Sequence, residues 1–176
     1  MSRKVINKII IELEVGDIID QPGIDAIVNA ANARLRIGGG VAGAIHSAGD
    51  PELERETQPL APISPGEAVI TSAPNLPNKH IIHCLGPVYG RDKPEDKILE
   101  NCYKNALALA EEYQLKSIAF PAISTGAFGY PMKKAATVAF NAIKEATAEL
   151  RHLNLVRFVL WNESDYNIHR DVLKEI

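Results

Sequence analysis

Only two cysteines, Cys84 and Cys102, occur in the 176 residues, and neither belongs to a C-x-x-C pair. That scarcity excludes a disulfide-stapled secreted scaffold and fits a reducing compartment, with both thiols expected as small buried hydrophobes. Long apolar runs are also missing: nothing approaches the ~18 residues that a membrane-spanning helix needs. The N-terminal stretch "MSRKVINKIIIELEVGDI" runs into Glu12 and Glu14 and has no small-residue cleavage site, so it predicts a first strand rather than a signal peptide. A cytoplasmic protein without membrane attachment is expected. No block of Lys or Arg exists and the formal net charge is -3, which argues against nucleic acid bound through a basic face. If the ligand is anionic, a local site must hold it.

The composition, 46% hydrophobic and 23% charged, is that of a globular protein, and the length suits a single domain over residues 1–176. Apolar runs alternate with helical patterns. Strands are predicted at 5–14, 24–29, 67–72, 80–85, 117–121 and 155–161; helices at 40–48, 51–58, 95–113, 132–149 and from about 165. In the helix at 95–113 the apolar positions Ile98, Leu99, Cys102, Tyr103, Ala106, Leu107, Leu109 and Ala110 make a core-facing stripe. The order predicts an α/β protein, a mixed and mainly parallel sheet with helices on both faces. In such sheets ligands collect beyond the carboxyl ends of strands, so the loops after 24–29 and 117–121 are the places to look for function.

The first loop reads "NAANARLRIGGGVAGAIH". Three consecutive glycines leave backbone bare, and the helix that follows offers free N–H groups and a positive dipole end in its first turn. This predicts a phosphate cradle made of main chain. It is not a Walker A loop, for no Gly-Lys-Ser/Thr follows; Gly38, Gly40 and Gly43 match the dinucleotide string G-x-G-x-x-G only as letters. Asn29 ends a buried strand and is expected to tie the loop to its neighbours, whereas Asn32, further out, is the better ligand candidate. The second loop, "PAISTGAFGYP", is small, rich in donors and carries one aromatic, Phe128. Its amides could embrace a second phosphate.

Seven stretches in order, "GDI" at 16–18, "AIVNAAN" at 26–32, "GGGVAGAIH" at 38–46, "GEAVIT" at 66–71, "HIIHCLGP" at 80–87, "SIAFPAISTGAFGYP" at 117–131 and "FVLWN" at 158–162, closely resemble the macrodomain family of ADP-ribose-binding modules. The resemblance covers nearly the whole chain and implies a three-layer α/β/α sandwich. It implies that the Asp17 carboxylate accepts the adenine amino group beside Ile18, and that Trp161 lies against adenine. It also implies that Gly39, Gly40 and Val41 clasp the diphosphate from one side and Ser124, Thr125, Gly126, Ala127 and Phe128 from the other. Asn32 would contact the distal ribose, and Asn32, Gly40 and Phe128 form the expected catalytic set, Phe128 in a positioning role. One hydrolase branch of the family carries aspartate where this chain has Ala42; "GGGVAGA" instead resembles macrodomains of coronaviruses, a branch that includes hydrolases without it.

Hydrolysis of ADP-ribosyl linkages on proteins, or deacetylation of the NAD metabolite O-acetyl-ADP-ribose, is therefore the implied activity. It would need no cofactor and no metal. The alternatives are a non-catalytic ADP-ribose reader, disfavoured here by the lack of an attached domain, and an RNA-end or poly(A) binder, disfavoured by the missing basic face. His46 on the first helix is expected to be packed or capped rather than to position water. His83 lies inside an apolar strand and is expected to be a core histidine, and His80, His83 and Cys84 alone do not make a zinc site. Asp165, Tyr166 and His169 are expected at the surface or in a cap.

Overall fold

The computed structural model describes residues 1–176. Its elements are β1 (Ser2–Ile6), β2 (Ile9–Val15), β3 (Ala26–Ala30), α1 (Gly40–Gly49), α2 (Glu52–Thr57), β4 (Ala68–Ser72), β5 (His80–Cys84), α3 (Glu95–Glu112), β6 (Ser117–Phe120), α4 (Met132–Ala146), β7 (Leu155–Leu160) and α5 (Glu163–Lys174). All seven strands form one sheet in the order β1-β2-β7-β6-β3-β5-β4. The five inner strands are parallel, and each edge strand, β1 and β4, is antiparallel to its neighbour. This is the expected three-layer α/β/α arrangement.

Side-chain alternation along the strands feeds two cores. Ala26 and Val28 of β3 face the larger one, which α3, α4 and α5 cover, while Ile27 between them faces the smaller one beneath α1 and α2. A strand covered on both faces has little use for polar positions, which is why β3, β5 and β6 read as short, largely apolar runs. Cys84 and Cys102 lie in the larger core as free thiols. Burial pushes both up in pKa, Cys102 to about 12, so neither is a nucleophile at neutral pH. No helix is long and apolar enough to cross a membrane.

Two expectations need correction. The strand predicted at 5–14 is broken at Asn7 and Lys8, whose φ values of 47° and 72° make a two-residue hairpin turn between β1 and β2. The alternation continues on both sides of the turn and so disguises it; the side-chain amide of Asn7 donates to Thr147 Oγ1 at 2.9 Å. On α5, His169 is buried against Phe140 and Phe158, with ring centroids 5.9 and 5.8 Å away. It shares a helix face with Val172 and Leu173, three and four residues on, and that apolar face turns to the core. Tyr166 is half-buried with its hydroxyl 2.7 Å from Ser2 Oγ, and the cap is Asn162, whose Oδ1 accepts the Asp165 N–H at 2.8 Å.

Candidate functional site

β3 and β6 are neighbours, and the loops that leave their carboxyl ends come together above the sheet. In the first loop the Asn32 amide closes a turn: its Oδ1 accepts the Arg36 N–H at 3.1 Å and its Nδ2 donates to the Arg36 carbonyl at 2.7 Å. Leu35, inside that turn, is fully buried at φ 55°, and its carbonyl accepts the Thr57 hydroxyl from α2 at 2.8 Å. The glycines then follow. Gly40 takes φ 57°, a conformation that costs other residues more, and a Cβ on Gly43 would collide with the Gly38 carbonyl oxygen. The result is a helix start laid tightly against its own loop. The N–H groups of Gly39, Gly40, Val41 and Ala42 have no acceptor within the protein.

The second loop presents main chain in the same manner. Thr125 turns its hydroxyl inward to the Ala122 carbonyl at 2.7 Å, and the Ser124 hydroxyl is buried where a Cβ on Gly86 would overlap it. Gly129 N–H bonds the Gly126 carbonyl at 3.0 Å and Tyr130 N–H bonds the Ser124 carbonyl at 2.9 Å. Gly126, Ala127 and Phe128 are left with unbonded N–H groups. Phe128, half-buried, packs on the small cluster of Ala31, Leu35, Ile63 and Leu85, and its carbonyl accepts the Tyr89 N–H at 2.9 Å. Its ring is the apolar contact that ties the two loops to each other. The donor-rich character read from Ser124 and Thr125 thus belongs to the backbone; their hydroxyls face into the protein.

A second locus lies one strand pair away. β2 and β7 run parallel with Val15 opposite Leu160, and the Gly16 N–H bonds the Leu160 carbonyl at 3.0 Å. Asp17 and Trp161, the residues just past these ends, are therefore neighbours by register. Asp17 is exposed, with Oδ1 accepting the Ile19 N–H at 3.1 Å; Ile18 beside it is buried; Trp161 is 80% exposed. The turn is held from below by Gln21, whose Nε2 donates to the Asp17 carbonyl at 3.0 Å and to Glu14 at 2.8 Å. Gln21 Oε1 in turn accepts from Arg157, which pairs at 2.9 Å with Glu12, a carboxylate also bonded by Arg3. A buried carboxylate needs such partners.

The histidines stay inside. His83 Nδ1 accepts the Asn29 side-chain N–H at 3.0 Å and its Nε2 lies 3.0 Å from Thr71 Oγ1, which donates to the Ser72 carbonyl. This chain places the proton on Nε2. Burial, aided by nearby His46, pushes the His83 pKa down to about 3, so the ring is neutral. Asn29 accordingly binds a neighbouring strand rather than the loop. His46 lies on the buried face of α1 with Nδ1 3.0 Å from Asp50, and Ala42, also buried, offers no carboxylate at the first turn. A hollow of about 640 Å³ lies between the starts of α3 and α4 beside Tyr89, Asp96, Lys133 and Lys134, and contains none of the expected site residues.

Reasoning from sequence missed Leu35, Gly43 and Gly86 as site builders. Gly43 and Gly86 sit in the quoted stretches, but only a close approach in space distinguishes them from ordinary turn glycines.

The family model described as "Macro domain" matches residues 28–139. "Macro domain-containing protein TTE0995" of Caldanaerobacter subterraneus is 44% identical over 173 residues, 94% of this chain and 97% of that protein. "O-acetyl-ADP-ribose deacetylase" of Citrobacter koseri is 43% identical over 170 residues, 94% of this chain and 96% of that protein. A solved structure of a variant Oceanobacillus iheyensis macrodomain with ADPR superimposes with a TM-score of 0.93 at 40% identity, covering 99% of this chain and 97% of that one.

Proposed function

This chain belongs to the macro domain family, and from that premise we propose that it binds ADP-ribose and hydrolyses its acyl esters, releasing ADP-ribose from modified carboxylate side chains or acetate from O-acetyl-ADP-ribose. The observation that carries the reading is the pair of facing loops whose N–H groups, at Gly39, Gly40, Val41 and Ala42 and at Gly126, Ala127 and Phe128, lack acceptors. Such donors hold a diphosphate without a lysine, which suits a chain of net charge -3. Asp17, Ile18 and the exposed Trp161 would take adenine; a base stacked on an aromatic contributes ~1–3 kcal/mol in nucleic-acid systems. A relative named as an O-acetyl-ADP-ribose deacetylase and a structure solved with ADPR support the ligand and the chemistry.

In the proposed hydrolysis, water adds to the acyl carbon, the ester C–O bond breaks, and the ribose hydroxyl and a carboxylic acid leave. Water and ester balance the reaction, so no cofactor enters. Asn32 and Phe128 orient the distal ribose, and Gly40 keeps the wall backbone-thin there. Orientation alone contributes up to ~7–11 kcal/mol in well-ordered intramolecular cases. Donors of the two loops stabilise the charge that develops on oxygen. The free thiols Cys84 and Cys102 suit a reducing cytoplasm.

Binding without turnover is the second reading, favoured by Ala42 and by an Asn32 amide already engaged with Arg36. The test follows release of ADP-ribose from a glutamate-linked mono-ADP-ribosylated protein, and of acetate from O-acetyl-ADP-ribose. Catalytic release above the uncatalysed rate supports the hydrolase; saturable binding with both substrates intact selects the reader.

A further inference from the structure

Arg34 and Arg36 precede the three glycines, yet neither enters any ion pair, and both are exposed. Their placement is not that of a loose surface loop. Leu35 between them is fully buried at φ 55°, a conformation costly for a branched side chain, and its carbonyl is held by Thr57. Arg36 is held a second time, for both its N–H and its carbonyl bond the Asn32 amide. Burying Leu35 directs its two neighbours outward, and Ile37 follows them at 56% exposed. The segment is thus a pinned ledge with two guanidiniums and one bare aliphatic side chain, one step from Gly38.

We propose that this ledge recognises acidic residues flanking the modified side chain of an ADP-ribosylated protein. The proposal rests on the ligand reading given above, which puts the distal ribose beside Asn32 and Phe128; a peptide attached to that ribose leaves the site next to Asn32, across residues 34–37. Diphosphate is served by backbone donors, so the guanidiniums remain for charge beyond it. Arginine suits carboxylates in particular, because its planar fork donates two parallel N–H bonds. On a chain of net charge -3, two unpaired arginines within three residues form a local exception that an acidic peptide complements.

The experiment compares three ligands: free ADP-ribose and two peptides ADP-ribosylated on one glutamate, flanked either by Asp and Glu or by Ser and Gly. The proteins are wild type, the double variant Arg34→Ala/Arg36→Ala and the reversal Arg34→Glu/Arg36→Glu, each checked for an unchanged circular dichroism spectrum and melting temperature. Wild type is expected to favour the acidic peptide about three- to tenfold, as two exposed ion pairs allow, less so at high salt. The alanine pair should abolish that preference and the glutamate pair invert it, with affinity for free ADP-ribose changed less than about twofold.

Equal binding of both peptides by wild type, or a preference that survives in the variants, would overturn the proposal. So would an equal loss for free ADP-ribose, which would assign the arginines to the diphosphate. If an ADP-ribosylated oligonucleotide gains as much from the arginines as the acidic peptide does, recognition is of nucleic acid and the proposal fails. Dissociation constants are read where no turnover occurs and kcat/KM where it does. Failure of hydrolysis is thereby separate from failure of the ledge.

Discussion

At the scale of single residues the site depends on glycines whose reasons differ. Gly40 is needed for its φ of 57° and Gly43 for the approach of the Gly38 carbonyl. Gly43→Ala should push α1 off its own loop, weakening ADP-ribose about tenfold or more and lowering stability by ~1–3 kcal/mol; calorimetric titration and thermal melts check both. Asn32→Ala should keep the fold and much of the adenine-side affinity while losing hydrolysis, since it removes the proposed ribose contact and frees Arg36; equal turnover in the variant would refute that role. His83 gives a pH signature. Its pKa is lowered from 6.5 to about 3 by burial, so below pH 6.5 the unfolded chain binds a proton that the folded one refuses. Stability is therefore full above about pH 6.5 and falls toward pH 3, by at most ~1.4 kcal/mol per pH unit from this group. His169, also lowered by burial, adds in the same direction. Urea unfolding between pH 7 and 5.5, where few carboxylates yet titrate, should show a flatter slope for His83→Gln than for wild type. The sequence pointed to His83 as a core residue because it interrupts an apolar strand. It was silent on Leu35, since a buried leucine at positive φ looks like any other leucine until the backbone is seen.

At the scale of elements, legibility followed from how completely each face is covered. The inner strands and the stripe on α3 were readable because both cores require apolar residues at fixed spacing, and of that stripe Leu99, Cys102, Tyr103, Ala106, Leu107 and Ala110 are buried. The β1–β2 hairpin was not, for its turn uses Asn7 and Lys8 rather than glycine. Lys8 at φ 72° carries a cost of ~1 kcal/mol that glycine would remove. Lys8→Gly should accordingly raise the melting temperature by about 2–4 °C without altering ligand affinity, since the turn lies far from the loops in the sheet order. His169 escaped for the opposite reason: a polar residue on a helix that is mostly polar reads as exposed until its face is matched with Val172 and Leu173.

At the scale of the whole molecule, a parallel sheet with antiparallel edges brings five carboxyl ends to one side, and four of them pair by neighbourhood: β2 with β7 for Asp17 and Trp161, β6 with β3 for the two loops. Sequence order alone cannot convey this, because β2 and β7 lie at opposite ends of the chain and meet only through the strand order. What the resemblance supplied as a set of residues, the sheet makes into a single rim. The central claim is that ligand is held by main-chain donors of the two loops. It is tested most directly by amide chemical shifts of ¹⁵N-labelled protein titrated with ADP-ribose. The account predicts that the amides of Gly39, Gly40, Val41, Ala42, Gly126, Ala127 and Phe128 move together at saturation, with the Trp161 indole shifting in parallel. ADP-ribose that binds while those seven amides stay in place would contradict it.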